Sequence, residues 1–319
     1  MSFIMNIRSV AKYESKILVR SWFFRIFTLL AVVFLGFFNF AMMLMEDNFG
    51  LWFAKSVSSN IPYLNLLLLN TGQAVVAVFL SSEFLKRDKK LDTFEVFYVR
   101  PLSNAEYVVG KIWGNLRVFL FLNLLVLAIV LAFNFMASGV TVDLPAYLVY
   151  FFLISIPTLI FIIGLSIFLM LLLKNQALTF ILLLGYIGLT LFYIQDKFYY
   201  LFDYMVYNLP LFKSTIVGFS NLELILNHRA IYFFAGLGFI FFTIFLFKRL
   251  PNARRSHYPW LFLSFCMFLL MVTAGFRHVR SILWEGEMRA LYTSINNKYV
   301  YEPKMAIDYY DISVEQKSE

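Results

Sequence analysis

The segment AEYVVGKI, Ala105 to Ile112, comes within one residue of the phosphate-binding pattern A/G-x-x-x-x-G-K-[ST]. In that loop, backbone N–H groups cradle phosphates, the lysine reaches them and the final hydroxyl holds Mg²⁺. Here Ile112 stands where the hydroxyl must be, and no strand precedes the segment. Nucleotide binding by this chain is therefore not expected. His228, His257 and His278 are far apart in sequence, and none forms the i,i+4 pair that a zinc-protease helix needs. The single Cys266 sits in an apolar run, which leaves neither a disulfide framework nor a thiolate metal site. No Ser/His pair, paired aspartates or metal cluster stands out. The chain reads as a non-enzyme that binds no metal and no cofactor of its own.

The elements around these residues are apolar. Residues AVILMFWYC make up 61% of the 319 and charged residues only 14%, where a soluble domain carries about a quarter charged. Runs of about 20 apolar residues recur, the length that crosses a bilayer core of roughly 30 Å. The short alternating segments of a β-barrel do not occur. The fold class is an all-α polytopic membrane protein with about seven transmembrane helices, near 22–45, 61–81, 112–136, 147–173, 177–195, 230–247 and 258–276. No Asp or Glu falls within these spans, which weakens an ion-coupled carrier, since intramembrane acids are the usual proton or sodium relays. Asn39, Asn65, Asn70, Gln73, Asn123 and Asn134 do fall within them, and read as interhelical hydrogen-bond partners rather than substrate ligands.

Orientation follows from Lys and Arg in the short loops. With the N-terminus cytoplasmic, the inner segments hold most of the basic residues, and the outer loops before the tail hold only Lys55, Lys197 and Lys213. The N-terminus of a seven-helix receptor would normally face outward. The formal charge of +8 is then an orientation signal and an attraction to anionic membrane lipids, not a nucleic-acid footprint. Residues 1–21 form an amphipathic interfacial helix, with Arg8, Lys12, Lys16 and Arg20 repeating every four residues. That helix anchors the chain or contacts a partner; both readings stand. The outer segment 196–228 is aromatic, with Asp196, Asp203, Lys213 and Glu223 interrupting it. It reads as two short re-entrant helices broken near Asn208-Leu209-Pro210, or as an aromatic interface belt. Residues 251–276 add a last span, and 277–319 form an extracytoplasmic tail, with an amphipathic helix over 279–295. The tail joins a partner or fronts something larger.

The largest inner connection, 82–111, collects the charge: Glu83, Lys86, Arg87, Asp92, Glu95 and Arg100, with Phe94, Phe97 and Tyr98 among them. Ser103-Asn-Ala-Glu106 has the capping-box form, and Pro101 discourages helix before it. A helix is predicted to start near Asn104 and run unbroken into the third span. Gly110 and Gly114 form a small-xxx-small pair suited to close helix packing.

The stretch EFLKRDKKLDTFEVFYVRPLSNAEYVVGK resembles the cytoplasmic loop of ABC-2 type transporter permeases. Thr93, Glu95, Pro101, Leu102, Ser103, Glu106, Gly110 and Lys111 match that family's pattern, and Asp92 replaces its usual glycine. The N-terminal helix, six spans and long outer segment are also similar, over about residues 1–250. The resemblance implies a six-helix permease core, 22–250, followed by one additional helix. It implies a subunit of an ATP-binding-cassette exporter in a bacterial inner (cytoplasmic) membrane. A separate ABC ATPase would dock on the loop and the N-terminal helix and would supply ATP and Mg. A second permease copy, in a homodimer or heterodimer, would complete the transporter. Drug, lipid, glycan and peptide substrates all remain open. The competing readings are a non-transporting anchor subunit of a larger envelope machine and an ion-coupled secondary carrier.

Overall fold

A computed structural model of the chain describes residues 3–44, 58–82, 102–136, 142–194, 196–209, 211, 213, 218, 219, 221–247 and 258–302. The chain divides into two compact units, 1–279 and 280–319. The main helices are α1 (Phe3–Arg20), α2 (Trp22–Leu44), α3 (Asn60–Ser82) and α4 (Asn104–Met136). They are followed by α5 (Leu144–Leu173), α6 (Gln176–Ile194), α7 (Leu222–Leu246) and α8 (Tyr258–Tyr299). The seven from α2 to α8 are long and apolar enough to cross a membrane.

Local chemistry sets the helix ends. Asp143 caps α5 by accepting the Ala146 N–H at 3.3 Å. Lys174 ends α5 in a left-handed conformation, φ 53°, and Asn175 starts α6 by accepting from Ala177 and Leu178 at 3.0 and 3.3 Å. This produces a tight turn at 174–176. Within α5, residues Phe151–Ser155 widen into a π turn just before Pro157. Proline brings no N–H to the carbonyl four residues earlier, here Leu153, and a π turn is one way a helix absorbs that misfit.

Helix α4 begins at Asn104 and runs unbroken into the span, as the capping box predicts. Two other boundaries differ from the sequence reading. Helix α7 begins at Leu222 rather than near 230, since the polar residues of its first turns are helix-compatible and two of them, His228 and Arg229, are buried. Helix α8 does not stop at 276. It continues through Glu285, Met288, Arg289, Ala290 and Leu291, good helix formers with no proline among them, so the last span and the tail helix are one element.

Helix α5 packs on α3, α4, α6 and α7. Together α3 and α5 are the most buried of the spanning helices, and α2, α6 and α8 the most exposed. Glycines bring α5 and α7 into backbone contact: a Cβ at Gly236 would lie 2.7 Å from the Ile160 carbonyl, and one at Gly164 would lie 2.7 Å from the Gly236 oxygen. The amide side chains of the spans tie helix to helix. Asn39 and Asn65 exchange bonds of 2.7 and 3.1 Å between α2 and α3. Asn70 donates to Asn123 and Ser155, and Asn123 to Gln73, joining α3, α4 and α5. Asn134 donates to the Tyr147 hydroxyl at 3.1 Å. Buried amides require partners, and each of these side chains finds at least one across helices, while the Asn70 and Asn134 carbonyl oxygens have none among the described residues.

Candidate functional site

At the end of the bundle that carries α1, the connection 82–111 meets the spans. Glu83, Lys86, Arg87, Asp92, Thr93, Glu95, Arg100 and Pro101 lie outside the described residues. Ser103 and Glu106 lie within them and close the capping box: the Ser103 N–H donates to Glu106 Oε2 at 2.6 Å, and the Glu106 N–H donates to Ser103 Oγ at 3.1 Å. The other carboxylate oxygen of Glu106 accepts from Asn6 Nδ2 at 2.8 Å, 100 residues away in sequence. One side chain therefore ties the end of the connection, the start of α4 and the start of α1.

The remainder of α1 lies along α4 in the same manner. Val10 fills the place a Cβ at Gly110 would take, and Glu14 and Ala11 fill the corresponding place at Gly114. Ser15 Oγ donates to the Gly114 carbonyl at 2.7 Å; Arg117 donates to Ser15 Oγ at 2.5 Å and to the Ala11 carbonyl at 2.9 Å. Glu14 and Lys111, each almost fully buried, face each other at 3.8 Å. The buried stripe of α1 is thus Asn6, Val10, Ala11, Glu14, Ser15 and Leu18. Three of these six residues, Asn6, Glu14 and Ser15, are polar or charged, because the partner is another helix with polar groups to satisfy. Arg8, Lys12, Lys16 and Arg20 are exposed. The start of α4 also grips the end of α7: Asn104 donates to the Phe247 carbonyl at 2.8 Å, and Tyr107 stacks on the Phe247 ring.

Glu106→Ala removes both the cap, worth about 1 kcal/mol, and the charged bond to Asn6, worth about 1.5–3 kcal/mol. The expected outcome is a loosened α1. Limited trypsin digestion at Arg8, Lys12, Lys16 and Arg20 should then run several times faster than in the parent, while the spans stay protected.

The opposite end holds a second cluster that the sequence reading did not anticipate. Of the outer segment 196–228, residues 196–209, where the first of the two expected short helices would lie, hold a 3₁₀ turn, Phe198–Tyr200, and then tight turns. Asp203, Tyr204, Met205, Val206, Leu209 and Leu211 are nearly fully buried. Phe198, Tyr199, Tyr200 and Val206 are left-handed, with φ of 52, 58, 61 and 68°. Each costs roughly 1–2 kcal/mol for a residue with a Cβ, so the surroundings must fix the segment. They do so through its carbonyl oxygens. His278 Nε2 donates to Tyr199 O at 2.9 Å, and His228 Nε2 donates to Tyr200 O at 3.0 Å. The Tyr232 hydroxyl donates to Leu201 O, Arg229 Nη1 to Tyr204 O at 2.8 Å, and Tyr63 to Val206 O at 3.0 Å.

Arg229, only 2% exposed, is the centre of this cluster. Its Nε donates to Leu153 O at 2.6 Å, the carbonyl that Pro157 leaves unserved. Its Nη2 donates to Ile154 O and to Thr158 Oγ1, at 3.3 and 2.8 Å. The guanidinium thus completes the backbone of the α5 irregularity and holds the buried segment onto it. Asp203 accepts from the backbone N–H groups of Tyr207 and Asn208, at 3.0 and 2.8 Å. Burial pushes its carboxyl above the usual carboxylate range, against the pull of those N–H groups and of Arg229.

His228 and His278, distant in sequence, have ring centroids 5.0 Å apart. A carbonyl can only accept, so each Nε2 carries its hydrogen, and both rings act as posts for backbone. No group of three or more His, Cys, Asp or Glu able to hold a metal occurs among the described residues. The one sequence signal for this cluster was Asn-His-Arg, 227–229, at the head of an apolar run, where a basic residue reads equally well as an interface charge.

These features define a class: an all-α, multi-pass membrane protein whose polar chemistry lies mainly between helices and at the two ends of the bundle. Compared with models of known families and with curated proteins, the chain matches none.

Proposed function

We propose that this chain is the membrane-spanning permease subunit of an ATP-binding-cassette exporter of the ABC-2 type. Its N-terminus faces the cytoplasm of a bacterial cell, its tail lies outside the inner membrane, and it works beside a second permease copy. A separate cytosolic ATPase docks on the 82–111 connection and α1 and hydrolyses the ATP. The observation that carries this reading is the joining of α1 to the first turns of α4 through Glu106, Gly110 and Gly114, where the 82–111 connection meets the bundle. A push delivered there moves α4 as a unit, and through Asn104 and Tyr107 it reaches the end of α7. Interfaces packed this closely transmit displacement rather than absorb it. The resemblance of the loop to ABC-2 permeases supplies the identity of the motor and the outward direction.

The test is isolation of the tagged protein from gently solubilised membranes. A stoichiometric ATP-binding-cassette ATPase is expected to accompany it and to be lost on charge reversal at Glu95 or Arg100. Preparations in which two copies stay together and no ATPase appears would overturn the reading in favour of a membrane anchor.

A further inference from the structure

The second compact unit includes the last 20 residues of α8. At 42 residues and about 1.5 Å per residue, α8 is about 63 Å long, twice the roughly 30 Å of a bilayer core, so part of it lies beyond the apolar layer. Within 280–299 the helix is amphipathic. At 100° per residue, Trp284, Met288, Leu291, Tyr292, Ile295 and Tyr299 fall within one arc about 100° wide. Gly286, Thr293 and Asn297 fall on the far side, whose larger apolar residues, Ile282 and Leu283, lie before the stripe begins at Trp284. Trp284, Leu291, Tyr292, Ile295 and Tyr299 are all exposed, Tyr292 by 66%. Contiguous apolar surface of this kind marks an interaction site.

We propose that this stripe pairs with the same stripe of a second copy of the chain, as a parallel two-helix seam. Three observations select that occupant. Two copies in one membrane send α8 in the same direction, so identical residues meet at the same level across a two-fold axis. Trp284, Met288, Leu291 and Ile295 follow 4-3-4 spacing, the repeat that keeps one stripe facing its partner in a parallel pair. The edges of the stripe are complementary: Arg280 flanks one side and Glu285, five residues on, the other, the offset at which edge residues of parallel helices meet. The pair Arg280–Glu285 thus forms twice. The seam is short, but attachment of each helix to a membrane span raises the effective concentration of its partner.

This inference deepens the reading of the chain as one of two permease copies by assigning a contact between them. The test uses the full-length protein in native membranes with Cys266→Ser and one new cysteine at a time. Disulfide cross-linking at Trp284→Cys, Leu291→Cys and Ile295→Cys is expected to exceed that at Gly286→Cys, Thr293→Cys and Asn297→Cys by about ten-fold. Arg280→Glu should weaken it, and Arg280→Glu with Glu285→Arg should restore it. Co-isolation of two differently tagged copies is measured in parallel. Co-isolation with uniform or negligible cross-linking would overturn the seam while leaving a permease pair in place. Failure of the tagged copies to co-isolate would overturn both.

Discussion

Arg229→Met is expected to be the most damaging single substitution in the chain, with a loss of about 3–5 kcal/mol, the range for breaking a buried charged network. The acceptors on Leu153, Ile154 and Thr158 would lose this donor inside the protein, and the Tyr204 carbonyl would keep only the Thr158 hydroxyl at 3.2 Å. Each unsatisfied acceptor costs about 1–3 kcal/mol. The Leu153 carbonyl has no α-helical donor to turn to, because the residue four positions on is Pro157. Arg229→Lys should recover only part of the loss. An ammonium has three donors on a single atom, whereas the guanidinium reaches four oxygens with a planar fork. Thermal unfolding in detergent, followed by loss of the monodisperse elution peak, measures the effect. An Arg229→Met protein as stable as the parent would show that the four bonds contribute nothing net.

The second large effect is expected at the crossing of α5 and α7. A Cβ at Gly236 would meet the Ile160 carbonyl carbon and oxygen and the Phe161 nitrogen, all at 2.7 Å. These are backbone atoms and cannot rotate away, so Gly236→Ala must separate the helices, and Gly236→Val more so. Overpacking of this kind costs about 1–3 kcal/mol, occasionally more. Gly185→Ala is the matched control, since no atom lies within 4 Å of a Cβ built there. The yield of folded protein and its melting temperature should fall for Gly236→Ala and stay unchanged for Gly185→Ala. Equal behaviour of the two would mean that α5 and α7 adjust without cost.

The all-α class and its seven apolar helices were legible in the sequence because apolar runs of membrane length carry that signal directly. The capping box at Ser103 and Glu106 was legible for a similar reason: both partners lie within one turn, and their types suffice. Gly110 and Gly114 could be read as a packing pair, but not as the bed of α1, since nothing local names the partner of a glycine. The other end was illegible because its bonds run over distances of 25 to 143 residues, from Arg229 to Tyr204 and from Tyr63 to Val206. Residues 196–209 belong to the outer segment 196–228, which reads from its sequence as two short re-entrant helices or as an aromatic interface belt. They follow a path other than an α-helix because donors on α3, α7 and α8 satisfy their carbonyls individually, and a helix is one solution among several once such donors exist. The pairing of His228 with His278 arises in the same way, from two helices meeting at one turn of the chain.

The buried segment is held mainly by its main chain, and a carbonyl oxygen is the same atom whatever residue bears it. The instructions for its shape are therefore written mostly outside its own codons, at Tyr63, His228, Arg229, Tyr232 and His278. The exposed side chains of Phe198, Tyr199 and Phe202 are correspondingly released from specifying that shape. Such a segment can acquire new side chains, and with them a new outer surface, while the helices that hold it stay as they are.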